Sequence, residues 1–247
     1  MSNHIDNTVI MGQNVYLGYN CIIEKNVQIG DNVIIGHNVV IYEGSKIGDN
    51  CHIHDNVVIG KKPMRAKRSI LKAQKEWKPA MIGEGCTIGT GAIIYAEAFL
   101  DDEVFVADLA TIREKVSIGK QTIIGRGVAV ENECTVGTRC KIETNAYITA
   151  FSTIGNDVFV APGVVTSNDN YMGRTEKRFK AFKGCTIQDG GRVGANATLL
   201  PGLIVEEEGV IGAGSVATRT VESECIVVGN PARKLRKVAE EQLLDKK

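Results

Sequence analysis

Apolar residues recur at every sixth position along most of the chain, and a second apolar set follows two places behind the first. Position 1 reads Val9, Val15, Cys21, Val27, Val33, Val39, Ser45, Cys51 and Val57, and position 3 reads Met11, Leu17, Ile23, Ile29, Ile35, Ile41, Ile47, Ile53 and Ile59. A second block runs from Ala80 to Val164 with Ile82, Ile88, Ile94 and Leu100 opening its position 3, and a third carries Ile187, Val193, Leu199, Val205, Ile211 and Ala217. Alternating apolar residues predict a short strand, and Gly or Asn once per hexad predicts a sharp bend after it. Three strands and three bends close a triangular coil whose backbone groups pair with the coils above and below. The repeats amount to about ten coils, a prism of roughly 48 Å at about 4.8 Å per strand spacing.

The three walls are named A, B and C for the strands beginning at Val9, Val15 and Cys21. Both breaks in the repeat, about residues 61–79 and 167–184, leave from the bend between walls C and A. They lie about five coils, or roughly 24 Å, apart and should bracket a groove. The first bend residue is Gly almost throughout between A and B. At the C-to-A bend it is replaced by Glu24, Tyr42, Tyr95, Arg113, Glu131 and Thr149. Giving up the residue best suited to a bend has a conformational cost, which assigns a role to the side chains of that edge. Within it, Glu114 and Asn132 are one coil apart. Asp108, Glu143 and Asn145 are expected in neighbouring bends of the groove, or in those of a subunit across it. Outward positions of wall C, including Ile22, Val40, Ile93, Tyr147 and Val165, are mostly apolar, which predicts a partner and closure into a symmetric ring.

Composition narrows the class. The 247 residues carry 29 basic and 29 acidic side chains, so nucleic acid is not the expected partner. No stretch approaches the roughly 20 apolar residues of a membrane span, and the N-terminus lacks a signal-like pattern, so a cytoplasmic protein is expected. Seven cysteines without a C-x-x-C pair suggest core residues rather than disulfides or zinc. Positive charge is concentrated in the first break, where Lys61, Lys62, Arg65, Lys67, Arg68, Lys72, Lys75 and Lys78 face one Glu. That loop suits an anion such as a pyrophosphate, and Trp77 either stacks on a base or anchors the loop. The last segment, 231–247, reads as a short helical tail after a β-helix domain of residues 1–230, with Asn230 and Pro231 at N-cap and N1.

The repeat VQIGDNVIIGHN resembles the hexapeptide-repeat acyltransferases, which implies an all-β fold, a left-handed parallel β-helix. Within them, the segments from Ala107 to Glu114, Asn145 to Arg174 and Ile187 to Gly202, with VVGNPARK near the end, resemble N-acetyltransferases of nucleotide-linked amino sugars, particularly dTDP-3-amino-3,6-dideoxyhexoses. That resemblance implies a homotrimer, with Glu114 and Asn132 holding the acceptor amine and acetyl-CoA lying between subunits. CoA would then meet backbone near Ala161, Gly163, Ala195 and Ala213, with Lys183, Arg219 or Arg233 near its phosphates.

The chemistry agrees with an amine. Histidine occurs only at His4, His37, His52 and His54, so the groove is expected to lack one, although His52 or His54 could reach its lower lip. Some relatives place a histidine where this chain has Ala96. A hydroxyl acceptor would need such a base, whereas an amine needs only to lose its ammonium proton, and a carboxylate suffices for that. A zinc carbonic anhydrase on this fold would need three converging histidines. The alternatives are acylation of another small amine and a non-catalytic trimeric scaffold.

Overall fold

The computed structural model describes residues 2–67 and 74–244 and turns each hexad into a strand that is usually two residues long. These strands stack into three sheets of 10, 11 and 12 members, in which each strand pairs with the strand one coil above and below. Wall C holds the column Ile23, Ile41, Ile59, Ile94, Ile112, Val130 and Ile148, in continuous parallel register and fully buried. Each buried isoleucine contributes about 1.5–3 kcal/mol of hydrophobic free energy, so the column acts as a spine for the prism. The residue before each of them points outward. The solenoid is slightly deeper than ten coils because His4–Ile5 and Cys225–Gly229 add strands beyond the hexad blocks.

The bends divide their requirements between two residues. A Cβ on Gly12 would stand 2.6 Å from the backbone carbon of Gly30 in the next coil, and one on Gly119 would stand 2.7 Å from that of Gly137. Close approach of stacked coils therefore fixes glycine at the first bend position between A and B. The left-handed backbone lies two residues later, at Asn14 (φ 55°), Asn32 (φ 55°) and Asn50 (φ 58°). The sequence reading had placed the conformational demand on the glycine itself. Asparagine tolerates positive φ better than most residues, and here Asn14 and Asn32 also donate side-chain hydrogen bonds up the stack.

The tail is not a helix. Cys225–Gly229 pairs antiparallel with Ala232–Lys237 across the two-residue connection Asn230–Pro231, and a short 3₁₀ turn follows at Glu240–Gln242. The last parallel strand leaves an open edge, which a returning strand satisfies, and proline disfavours helical backbone at the residue before it. Large exposed apolar side chains occur on all three walls: Ile22 and Val165 on C, Ile34 and Phe105 on B, and Met81 and Phe99 on A. Wall C is therefore not singled out as the sticky face. No helix of the described residues is long and apolar enough to cross a membrane.

Candidate functional site

Both excursions leave from the C-to-A edge as the sequence implies, the first between Val58–Lys61 and Met81–Ile82, the second between Val165–Thr166 and Thr186–Ile187. Between them lie four bends whose middle residues are Ala96, Glu114, Asn132 and Ala150. All four are buried, whereas Lys25 and Glu43 at the same position in lower coils are exposed. The edge is sunken only between the excursions.

On the A-to-B and B-to-C edges the middle bend residue has a repeated structural task, which is to accept the backbone N–H of the bend beneath it. Asp31 takes Gln13 N–H, Asp49 takes Asp31 N–H, Asp55 takes His37 N–H, and Asp102 takes Glu84 N–H. Asp108 does the same for Thr90 N–H at 2.8 Å, and His37 does so through Nδ1 for Tyr19 N–H. Glu114 and Asn132 depart from this pattern. Glu114 is 4% exposed and its carboxylate is gripped by Arg113, Nε to Oε2 at 2.8 Å and Nη2 to Oε1 at 3.1 Å. Asn132 is 6% exposed, and its side-chain amide has no hydrogen-bond partner among the described residues.

Arg113 also reaches Glu131 in the next coil, Nη1 to Oε2 at 3.3 Å, and its guanidinium carbon lies 4.8 Å from the centre of the Tyr95 ring, one coil below. Burial opposes the charge of Arg113, but its bonds to Glu114 and the two carboxylate charges outweigh this and raise its pKa. Burial also raises the pKa of Glu131, the Arg113 charge opposing and the Glu114 charge reinforcing the shift. Tyr147, beside this cluster on wall C, is raised by burial and by the charge of Glu131. Of these groups, Tyr147 stands out in the sequence only as an outward residue of wall C, whereas Tyr95 is one of the residues that replace Gly at this bend and, 18 residues before Arg113, is placed beneath it by the coil period.

The foot of the first excursion is fastened to this edge. Glu97 accepts Lys78 N–H at 3.1 Å and the Gln74 amide at 2.9 Å, and the half-buried Trp77 lies 6.0 Å from Lys115 Nζ, next in sequence to Glu114. Lys62 and Arg65 are exposed on the excursion, while Arg68 and Lys72 lie outside the described residues.

Other expected site residues sit on a different edge. Asp108, Glu143, Asn145, Ala161, Gly163, Ala195 and Ala213 all lie on bends between walls B and C, and Asp108 is accounted for by its structural bond. One protomer therefore does not bring them to Glu114; only the B-to-C edge of a second copy facing the C-to-A groove would do so. Lys183 stands at the foot of the second excursion, its side chain alongside Gly202, and Arg219 and Arg233 line a cleft of about 270 Å³ near the C-terminal hairpin. His52 and His54 stack on each other at 4.4 Å on wall B and its bend toward C, away from the groove.

This architecture is that of the hexapeptide-repeat proteins with a left-handed parallel β-helix, and the chain is one of them. Residues 8–43 and 26–61 match the bacterial transferase hexapeptide family (six repeats), and residues 111–150 and 185–219 match the hexapeptide repeat of succinyl-transferase. Among solved structures, UDP-N-acetylglucosamine acyltransferase of Arabidopsis has the same fold, with a TM-score of 0.63 at 14% identity over 96% of this chain and 73% of that one. Among curated proteins, dTDP-3-amino-3,6-dideoxy-alpha-D-galactopyranose 3-N-acetyltransferase of Aneurinibacillus thermoaerophilus is 37% identical over 54 residues, which is 22% of this chain and 28% of that one. Gamma carbonic anhydrase 1 of Arabidopsis thaliana is 40% identical over 62 residues, 24% of this chain and 22% of its own. The chain spans less than half the length of the curated relatives it matches.

Proposed function

We propose that the protein is an N-acetyltransferase that moves an acetyl group from acetyl-CoA to the amine of a nucleotide-linked deoxyamino sugar, with a dTDP-3-amino-3,6-dideoxyhexose as the preferred acceptor. The observation that carries this reading is the burial of Glu114 and Asn132, one coil apart, on the stretch of the C-to-A edge between the two excursions. Two polar side chains lie buried one coil apart on this sunken stretch, the Asn132 amide without a partner among the described residues and the Glu114 carboxylate held in place by Arg113, where a ligand amine can meet both. The carboxylate attracts an ammonium and the amide of Asn132 accepts or donates to its neighbour atoms. The similarity to the Aneurinibacillus enzyme supports an amino-sugar acceptor, and the cationic residues of the first excursion supply a place for its diphosphate.

Each step asks little of the protein. An amine that has lost its proton attacks a thioester directly, and the thiolate leaves readily because its parent thiol has a pKa of roughly 8.5. Backbone N–H groups of a facing bend would stabilise the tetrahedral oxyanion. The groove and the CoA-facing residues lie on separate edges, so the complete site requires two protomers, which favours a homotrimer with three equivalent sites. In that arrangement acetyl-CoA would run past Ala161, Gly163, Ala195 and Ala213 of one subunit, its phosphates near Lys183, Arg219 or Arg233. The proposed setting is a cytoplasmic step in polysaccharide or glycoconjugate synthesis.

The test is release of free thiol from acetyl-CoA with a panel of nucleotide-linked 3-amino and 4-amino deoxysugars, comparing the wild type with Glu114→Ala. Turnover with one sugar that collapses in the variant is the expected result. Turnover that survives moves the amine site elsewhere, and no turnover with any sugar favours another amine or a scaffold.

A further inference from the structure

The two carboxylates around Arg113 are held in different ways. Both oxygens of Glu114 are engaged by the guanidinium, at 2.8 and 3.1 Å, and the residue is almost wholly enclosed. Glu131 receives a single longer contact of 3.3 Å through Oε2, has no partner at Oε1 among the described residues, and keeps 24% of its side chain exposed. One guanidinium between two carboxylates leaves a negative charge uncompensated within the cluster. The next cation along the bend, Lys115, is turned to the Trp77 ring. A site of this charge attracts an ammonium and gives a neutral hydroxyl no such advantage.

We infer that Glu131 accepts the proton of the acceptor's ammonium, while Glu114, clamped by Arg113, orients the nitrogen. This inference rests on the N-acetyltransfer reading and assigns the proton within it. The ammonium N–H bond breaks, its proton passes to Glu131 Oε1 and the electron pair remains on nitrogen. That pair forms the C–N bond at the thioester carbonyl, whose π electrons move to oxygen. On collapse the C–S bond breaks, the pair leaves with sulfur, and the second nitrogen proton passes to the thiolate. Glu131 then returns its proton to water through its exposed side. Ammonium and thioester thus give amide, thiol and one proton.

The groups facing Glu131 are Arg113 and Glu114 from the bend below, Tyr147 from wall C above, and Cys134 on the strand that follows. Burial raises the carboxyl above the usual glutamate range, which improves it as a proton acceptor near neutral pH.

The experiment is the pH dependence of kcat/KM for thiol release with the sugar the wild type turns over, in wild type, Glu131→Gln, Glu131→Asp and Glu114→Gln. The wild type should lose rate below an acid limb somewhat above the ordinary glutamate pKa. Glu131→Gln should lose about 10²-fold or more in rate together with that limb, and Glu131→Asp should keep a limb. Glu114→Gln should raise KM while the limb remains. A Glu131→Gln enzyme with the wild-type rate and profile overturns the inference and leaves N-acetyl transfer standing. So does a wild-type limb at the amine's own pKa of roughly 8, which would mean that the free amine binds already deprotonated. A wild type that releases no thiol with any amine overturns both.

Discussion

Arg113 and Glu114, adjacent in the chain, form a two-pronged ion pair, with Nε on Oε2 at 2.8 Å and Nη2 on Oε1 at 3.1 Å. The pair lies where the prism surface is sunken, so each charge depends on the other. Replacing Arg113 by Met leaves the Glu114 carboxylate enclosed without its counterion. The unfolding free energy should fall by about 3 kcal/mol, the low end for a broken buried pair because the Arg113 side chain keeps 20% exposure. Arg113→Met combined with Glu114→Gln should recover most of that loss. Denaturant titrations of the two single variants and the double variant give the coupling directly, and strict additivity would mean that the pair carries no stability.

Glu131 supplies a pH dependence with a definite sign. Its carboxyl is raised in the folded protein, first by burial, with Arg113 opposing. The folded state therefore holds that proton more tightly than the unfolded chain does. The stability it contributes is fully present below the ordinary glutamate pKa and is lost as pH rises through the raised value. Glu131→Gln, which keeps the shape and discards the charge, should melt higher than wild type at pH 7, and the two should converge on acidification toward pH 4. A melting difference independent of pH would show that the buried charge is not its source.

The fold was legible because its rule is short: one inward residue, one outward, one inward, one bend, repeated with little slippage through two interruptions. Stacking at 18 residues follows from that rule, so Glu114 over Ala96 and under Asn132 could be placed by counting. The same period puts Tyr95 beneath Arg113, two residues that both replace Gly at the C-to-A bend, but residue spacing alone does not say that the guanidinium turns onto the ring. Asp108, Glu143 and Asn145 are expected in bends of the groove or of a subunit across it, and their hexad, which puts them on the B-to-C edge, leaves only the second of those placements. Asp108 also shows that an acidic residue in a bend is by default a backbone acceptor. The tail misled for a different reason. Leu235, Val238 and Leu243 fit a helical period, yet the open edge of Cys225–Gly229 offered backbone bonds to an extended segment, and periodicity within the tail does not register that edge.

Trp77 is the chain's only tryptophan, so its fluorescence reports one place. It is half-buried at the foot of the basic excursion, close to Lys115 and therefore near the Glu114 bend. If the nucleotide of the acceptor stacks there, titration with the nucleotide diphosphate alone should quench its emission. Trp77→Ala should then raise KM for the nucleotide sugar roughly tenfold, as a lost base–aromatic stack of about 1–3 kcal/mol implies, with little change in kcat. If instead Trp77 only anchors the loop, nucleotide leaves the emission unchanged and Trp77→Ala lowers the melting temperature without a selective effect on KM.

The seven cysteines are free and all buried, six of them at inward position 1 of a hexad. Burial pushes the Cys134 thiol up to about 12 and raises Cys140 and Cys185 as well, so these three form little thiolate at neutral pH, whereas Cys51, lowered by its hydrogen bond with Cys86, is shielded by its enclosure in the prism. A disulfide reagent acts on thiolate. The native protein should therefore release well under one equivalent of colour over the minutes of an assay, and the denatured protein should release seven. This matters to the acetyl-transfer experiment, because the same reagent reports CoA. Rapid reaction of one or two thiols in the native protein would mean that the prism opens locally. The exposed cysteine, mapped by mass spectrometry, would then show which coil gives way first.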